Sequence, residues 1–379
     1  MEFTETQHLI RGTVRDFAEK ELRTHAIELD ENGSFPSDLF RKMAGLGLTG
    51  IPFPEEYGGA GADYLSYIVA IEEISRFCAS TALTIAAHTT LGTYPIYTFG
   101  SEPQKKKYVV PNASGRKIGA YGLTEPNAGS DASATQTTAK KTKGGYILNG
   151  SKMFVTNASI ADTFIVTAVT DKEKRSHGIS AFILEKGWEG IVIAKKEDKL
   201  GMRGSETCLV NLEEVFVPEE NLLGQEGDGF SIFMKTLDAG RISIGAISLG
   251  IAQGAMERSV NYAKERKQFD KPIGGFQAIQ FMIADMATEI EAARHLIYNA
   301  AQLKDAGKPF SKEAAIAKLF ASEMAMRVTK NAIQIHGGYG YMKEYEVERF
   351  YRDAKLCEIG EGTSEIQRIV ISRHLLGKL

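Results

Sequence analysis

The sequence predicts a multi-domain α+β protein: an N-terminal α-helical domain, a central antiparallel β domain and a C-terminal helical bundle. Three observations carry this. Apolar residues recur at helical spacing through the first third of the chain, short β-rich runs separated by Gly and charged turns fill the middle, and three long helical segments follow from about residue 229. The 379 residues exceed the ~150 typical of one domain, so two or three packed units are expected. The expected divisions are 1–120, 121–228 and 229–379.

In the first unit, Leu9, Val14, Phe17, Ala18 and Leu22 mark a helix, and Phe35-Pro36-Ser37-Asp38 marks a loop and a new helix start. A second helical block runs from Tyr64 to Arg76, followed by the small, apolar stretch Ala79 to Leu91. In the middle unit, Asn149-Gly150 between Tyr146-Ile147-Leu148 and Lys152-Met153-Phe154-Val155-Thr156 reads as a hairpin with a two-residue turn. Further strands are expected at Thr163–Val169, Ile179–Leu184, Ile191–Ala194, Thr207–Leu212 and Val215–Val217. No helices alternate with them, so no parallel dinucleotide-binding sheet is expected. The last unit has helical segments 229–265, 277–307 and 312–336, the second with a wide apolar stripe suited to a bundle.

Composition narrows the function. A net charge of −3 argues against a nucleic-acid surface. The three cysteines (Cys78, Cys208, Cys357) form no CxxC, which suits a reducing compartment. The seven histidines sit in no metal-ligand spacing. No stretch approaches 18 apolar residues, and the acidic N-terminal region resembles neither a signal nor a transit peptide. The expectation is a cytoplasmic protein, or a mature organellar one.

Five segments carry chemistry. Glu361, between Gly360 and Gly362, is a carboxylate on a loop just before a helix start; Thr363 and Ser364 are N-cap candidates, and Ser364 with Gln367 matches a capping box. A glutamate in a turn is usually solvated, so its neighbours decide. Tyr121-Gly122-Leu123-Thr124 and the following Glu125-Pro126-Asn127-Ala128-Gly129-Ser130-Asp131 concentrate hydroxyls and amides where a loop could face an electron-poor ring. Arg266-Lys267-Gln268-Phe269 ends a long helix; its Arg can complement the helix dipole or bind a diphosphate. Gly337-Gly338 follows a helix and reads first as a helix stop. Asp238, in Leu237-Asp238-Ala239-Gly240-Arg241, is read as lying near the start of the first bundle helix, where it could complement the dipole.

With these residues in their order and spacing, the chain resembles an acyl-CoA dehydrogenase, and within that family the short-chain, butyryl-type branch. The resemblance covers essentially the whole length. It implies a C-terminal four-helix bundle, FAD between the β unit and the bundle, and a homotetramer. By residue, it implies that Tyr121, Gly122, Leu123, Thr124 and Ser130, with Phe154, Val155 and Thr156, line the flavin. Thr363, Ser364 and Glu365 would contact the cofactor after the catalytic loop. Arg266, Gln268, Phe269, Gln277, Gln334, Ile335, Gly337 and Gly338 would reach the FAD of a neighbouring subunit. Ser130, Asp238, Arg241 and Gly362 match positions that contact the acyl-CoA. Glu361 is the implied base for the α-proton, with hydride passing to the flavin and electrons leaving to an electron-transfer flavoprotein. A base buried against apolar surfaces is expected to have a raised pKa.

Two positions depart from the family's commonest pattern. Phe154 stands where many members have Trp, and Gly360 where many have Tyr. The second suggests room for a bulkier or branched acyl group. Gly240 matches the position from which an isovaleryl-type branch draws its base, and glycine cannot serve. An acyl-CoA oxidase using dioxygen fits the same residues, and peroxide release in air separates it from a dehydrogenase. A non-catalytic flavoprotein that binds DNA would want a basic surface. A carboxylate-bearing substrate would want a cation near Thr84 to Ile96, where only His88 is offered; that side chain is expected to be packed or hydrogen-bonded in the core.

Overall fold

The computed structural model describes residues 2–377. The first unit holds α1 (Glu5–Phe17), α2 (Arg23–Asn32), α3 (Ser37–Gly45), α4 (Tyr64–Ser75), α5 (Ala79–Ala86), α6 (Tyr94–Phe99) and the short α7 (Glu102–Gln104) and α8 (Val110–Ala113). Single π-turns at Ala18–Leu22 and Ala87–Thr93 join α1 to α2 and α5 to α6. Every residue of α4 is buried. A helix buried all round needs partners on all sides, and there its Glu72 meets Arg294 and its Glu73 meets Arg11, Arg15 and Arg76.

The β unit comprises β1 (Gly119–Gly122), β2 (Thr138–Thr142), β3 (Gly145–Thr156), β4 (Thr163–Val169), β5 (Ile179–Glu185), β6 (Ile191–Lys196), β7 (Thr207–Pro218) and β8 (Leu222–Leu223). The sheet order is β6-β7-β3-β2-β4-β5-β8, with β1 beside β4. Pairing is antiparallel except where β1 and one residue pair of β2 run parallel to β4.

Two expected details are corrected here. Asn149-Gly150 is not a hairpin turn; it lies inside the single strand β3, and the hairpin turn is Lys143-Gly144. Gly150 takes φ +152°, and an added Cβ there would press on Thr137. Asn149 meanwhile accepts a hydrogen bond from the Glu214 N–H across the strand pair (2.9 Å). The glycine thus serves a bulge and a close approach, which carry the same sequence signature as a turn. The expected strands at Thr207–Leu212 and Val215–Val217 are likewise one strand, kinked at Glu214, whose φ is +52°.

The last unit is built on α9 (Gly229–Glu265), α10 (Gln277–Asp305) and α11 (Ser311–His336), closed by α12 (Val347–Ile359) and α13 (Ser364–Leu376). A two-stranded ribbon, β9 (Lys267–Gln268) and β10 (Lys271–Pro272), follows α9. α9 and α11 run in the same direction: Gly245 packs on Ala317 at one end, and Tyr262 stacks on His336 (4.3 Å, 22°) at the other.

The helices at both ends of the chain share one hydrophobic core, from Val14 and the α4 residues to Ile290, Met324 and Phe350. The β unit has its own core. A third cluster, including Tyr121, Ile165, Phe233 and Tyr108, fastens the sheet to α9 and the first unit. No described helix is long and apolar enough to cross a membrane.

Candidate functional site

The Glu361 turn stands between two helices and is built for close approach. Gly360 caps α12, its N–H donating to Leu356 O (2.8 Å). Glu361 takes a left-handed backbone (φ +53°), as does Gly362 (φ +94°). For glutamate this conformation costs on the order of 1–3 kcal/mol and is characteristic of functional loops. Thr363 is the N-cap of α13, its hydroxyl accepting from the Ile366 N–H. The expected Ser364–Gln367 capping box does not form, because the helix starts one residue earlier. Gln367 is instead buried and turns back, donating to Gly362 O (2.8 Å) and Glu361 O (3.3 Å). Ser364 Oγ is buried without a partner.

The Glu361 carboxylate points at α9. A Cβ built on Gly240 would overlap Glu361 Oε2 and stand 2.7 Å from the carboxyl carbon. Oε2 is buried with no hydrogen-bond partner. Burial pushes the carboxyl pKa up to about 8, against the opposing pull of Arg241 and Lys318. Asp238 and Arg241 flank Gly240, pair with each other, and Asp238 accepts from Ser311 Oγ (2.9 Å). Asp238 lies well inside α9, not near its N-terminus as the sequence suggested, because the helix begins at Gly229. Its charge answers Arg241 rather than the helix dipole.

The segments expected to line a flavin come together on the β side of this turn. Met153 N–H donates to Thr124 O (2.7 Å), setting the 123–125 loop beside β3. Phe154 sits at a register shift of β3 against β7 with φ +57°, its ring 61 % exposed. Val155 is buried and Thr156 half-buried. Tyr121 is buried and stacks on Phe233 of α9 (4.2 Å, 25°), within the field of Glu361. Ser130 is exposed at the far end of the loop.

Beneath that loop lies a buried ion pair that the sequence reading quoted but gave no role. Lys152, wholly buried, donates to Glu125 Oε1 (2.6 Å) and reaches Thr135, Thr167 and Leu123 O. Glu125 also accepts from Gln136 N, Thr137 N and the Thr135 and Thr137 hydroxyls. Burial opposes its ionisation, but Lys152 and these donors prevail and hold the carboxyl at about 2.

A second group gathers elsewhere. Arg266, Gln268, Ile335, Gly337 and Gly338 line a groove of about 460 Å³ with Tyr262, His336, Tyr339 and Met342. Arg266 lies over the Tyr339 ring (5.4 Å). Gly337 and Gly338 are exposed, and nothing would meet a Cβ on either. Phe269 projects from the ribbon turn, 87 % exposed with φ +50°. Gln277 and Gln334 are exposed nearby but do not line the groove. Gly240 lies in α9 and Arg266 caps its C-terminus, and at 1.5 Å rise per residue they stand about 40 Å apart. One chain therefore does not bring the two groups to one ligand.

An exposed aromatic face at Phe154, the partnerless Ser364 hydroxyl, an open glycine ledge and an outward Arg fit a planar cofactor bearing phosphates. His88 is fully buried, accepting from Gly119 N–H (3.0 Å) at Nδ1 and bonding Asn112 O (3.1 Å) through Nε2. Burial lowers its pKa to about 4, so it is a neutral core histidine. Lys318, which braces the Glu361 turn from below, was not singled out from the sequence, and Gln367 was read only as a capping-box partner of Ser364; neither was expected to hold the turn. No local motif marks that bracing role, since only the packing of α11 and α13 under the turn brings the two side chains to Gly362 O.

Three family descriptions together match nearly the whole chain: "Acyl-CoA dehydrogenase, N-terminal domain" over residues 4–116, "middle domain" over 120–215 and "C-terminal domain" over 227–376. The chain is 57 % identical over 376 residues to "Probable acyl-CoA dehydrogenase YngJ" of Bacillus subtilis, covering 99 % of each. It is similar to the structure of butyryl-CoA dehydrogenase from Megasphaera elsdenii, with TM-score 0.98, 50 % identity and 99 % of each chain covered. It is also similar to a chain in the structure reported as "Electron transferring flavoprotein of Acidaminococcus fermentans: Towards a mechanism of flavin-based electron bifurcation", with TM-score 0.99, 53 % identity and all of both chains covered.

Proposed function

The chain belongs to the acyl-CoA dehydrogenase family of FAD-dependent oxidoreductases, and on that premise we propose that it converts short-chain acyl-CoA thioesters to trans-2-enoyl-CoA with Glu361 as the base. The observation that carries this reading is the Glu361 carboxylate itself: held in a left-handed turn, aimed at the space Gly240 leaves, with Oε2 unpartnered. A carboxylate in that condition is a far better proton acceptor than a solvated one, because its conjugate acid is favoured by burial. Bound FAD supplies the hydride acceptor. Tyr121, Gly122, Leu123, Thr124 and Ser130, with Phe154, Val155 and Thr156, would hold its ring, and Thr363, Ser364 and Glu365 the adjoining part. Asp238, Arg241, Ser130 and Gly362 would orient the acyl-CoA.

The separation of about 40 Å along α9 supports assigning Arg266, Gln268, Phe269, Gln277, Gln334, Ile335, Gly337 and Gly338 to the FAD of another copy. The partly exposed apolar face of α10, with Ile279, Met282 and Ile283, suits the same homotetramer. The likeness to butyryl-CoA dehydrogenase supports a short acyl chain, and the likeness to the Acidaminococcus chain supports an electron-transfer flavoprotein as acceptor. We place the protein in the cytoplasm, and we divide the chain near residues 120 and 228.

Gly360 bears on the substrate. Its φ is −65°, and the nearest atom to an added Cβ is Leu356 O at 3.4 Å, so its backbone does not demand glycine. The missing ring leaves space beside the base. A panel of acyl-CoA esters, read by bleaching of the flavin, should show butyryl-CoA fastest and measurable rates with isobutyryl- and 2-methylbutyryl-CoA. Failure of butyryl-CoA to bleach the flavin removes the short-chain reading; strict straight-chain selectivity removes the role of Gly360.

Gly240→Ala tests the fit between α9 and the base. Alanine favours the helix, so thermal stability should hold, while the Cβ forces the carboxylate aside. A displacement near 1 Å should slow flavin reduction roughly 100-fold. A wild-type rate would mean the carboxylate does not work from where it stands.

A further inference from the structure

Behind the Glu361 turn, on the side away from α9's glycine, a lysine is buried whole. Lys318 of α11 has no exposed surface. Its Nζ donates to Gly362 O (2.8 Å), the same carbonyl that Gln367 Nε2 holds. Two donors on one carbonyl fix the Gly362–Thr363 peptide, at the end of a turn in which both Glu361 and Gly362 are left-handed. The position is costly for an ammonium group. Burial, with a smaller push from Arg241, lowers its pKa to about 8 against the pull of Cys357, Glu361 and Glu358, and a bundle core would accept a methionine of similar volume without that penalty.

Arg241 of α9 faces both Glu361 and Lys318; Cys357 and Glu358 of α12 and Glu365 of α13 lie within the field of Lys318; Tyr64 and Tyr67 of α4 and Tyr121 of β1 lie within the field of Glu361. Arg241 is already paired with Asp238. Lys318 has no carboxylate hydrogen-bonded or paired to it among the described residues, so its charge is free to act on Glu361.

We propose that Lys318 is a positioning residue for the reaction: from beneath the turn it holds the backbone on which the Glu361 carboxylate stands, and beside Arg241 it adds buried positive charge near that carboxylate. The inference rests on the reading of Glu361 as the base. The hydrogen bond and the charge have separable consequences. Loss of the bond lets the turn relax and lowers the maximal rate. Loss of the charge leaves the carboxyl easier to protonate, so the rate rises with pH only at higher pH.

The test is anaerobic reduction of the FAD-loaded enzyme by butyryl-CoA, followed across pH from about 6 to about 9.5, for wild type, Lys318→Met and Lys318→Gln. In wild type the rate should climb with pH as Glu361 ionises. In Lys318→Met the climb should move up by about one unit, a loss near tenfold at neutral pH, with a lower plateau as well. Acyl-CoA affinity should stay within about twofold. Lys318→Gln keeps a donor for Gly362 O and should show the same upward shift with more of the plateau retained; it decides the matter if the Met variant fails to fold or to hold FAD. Profiles that superimpose on wild type overturn the proposal. Glu361→Gln, run alongside, separates the two readings. If it reduces flavin at the wild-type rate, the base assignment fails and this inference with it. If it is inactive while both Lys318 profiles stay in place, only this inference fails.

Discussion

Glu361→Gln is expected to leave the protein folded and loaded with FAD while flavin reduction by butyryl-CoA falls by roughly 10²- to 10⁴-fold, the range for losing a positioned general base. The folding half follows from the carboxylate's isolation. Oε2 has no partner to lose, and glutamine has nearly the same shape. Removing a buried ionisable group that nothing neutralises directly costs the fold little. The catalytic half follows because an amide has no usable basicity, and Gly240, the one rival position that the family pattern suggests, has no side chain. Rapid-mixing absorbance of the flavin band, with cofactor content measured on the same sample, checks both halves. Reduction at the wild-type rate would dismiss Glu361 as the base.

The second large effect concerns stability. Lys152→Met should destabilise the β unit by about 3–5 kcal/mol, the range for removing one partner of a buried ion pair. Glu125 would keep its four donors in the 135–137 segment yet lose the buried cation that faces it. Adding Glu125→Gln to Lys152→Met should recover much of the loss, since no charge is then stranded. Urea midpoints at fixed protein and FAD concentrations measure the difference. A single variant as stable as wild type would mean that Glu125 finds a proton or a water at little cost. FAD affinity should weaken in the single variant, because the same pair fixes the loop against which Met153 and Thr124 are bonded.

The Glu361 turn stood out in the sequence because its glycines, acid and hydroxyl caps are contiguous, and a feature confined to one loop leaves a local signature. The three helical segments of the last unit were legible for a similar reason: their apolar period runs over seven turns or more. Asn149-Gly150 misled because a bulge and a hairpin turn ask the same thing of glycine, and only the partner strand decides which is formed. The capping box at Ser364 misled by one residue, since Thr363 satisfies the same first turn and frees Gln367 for the loop carbonyls. Lys318 and the Lys152–Glu125 pair were out of reach. Lysine in an amphipathic helix or a strand reads as a solvated face, and its burial depends on what the rest of the chain lays over it.

The core shared by the two helical ends has a consequence for how the chain comes off the ribosome. α4 is mostly apolar and buried on every side, yet its main partner, α9, is encoded on the order of 150 residues downstream, beyond the whole β unit. At elongation rates of roughly 5–20 residues per second, that interval is about ten to thirty seconds. During it, the nascent first unit presents an uncovered greasy helix while the β unit folds beside it on its own core. Aggregation in this protein is therefore a hazard of synthesis more than of the finished molecule, and slower translation through 119–228 lengthens the dangerous window rather than helping.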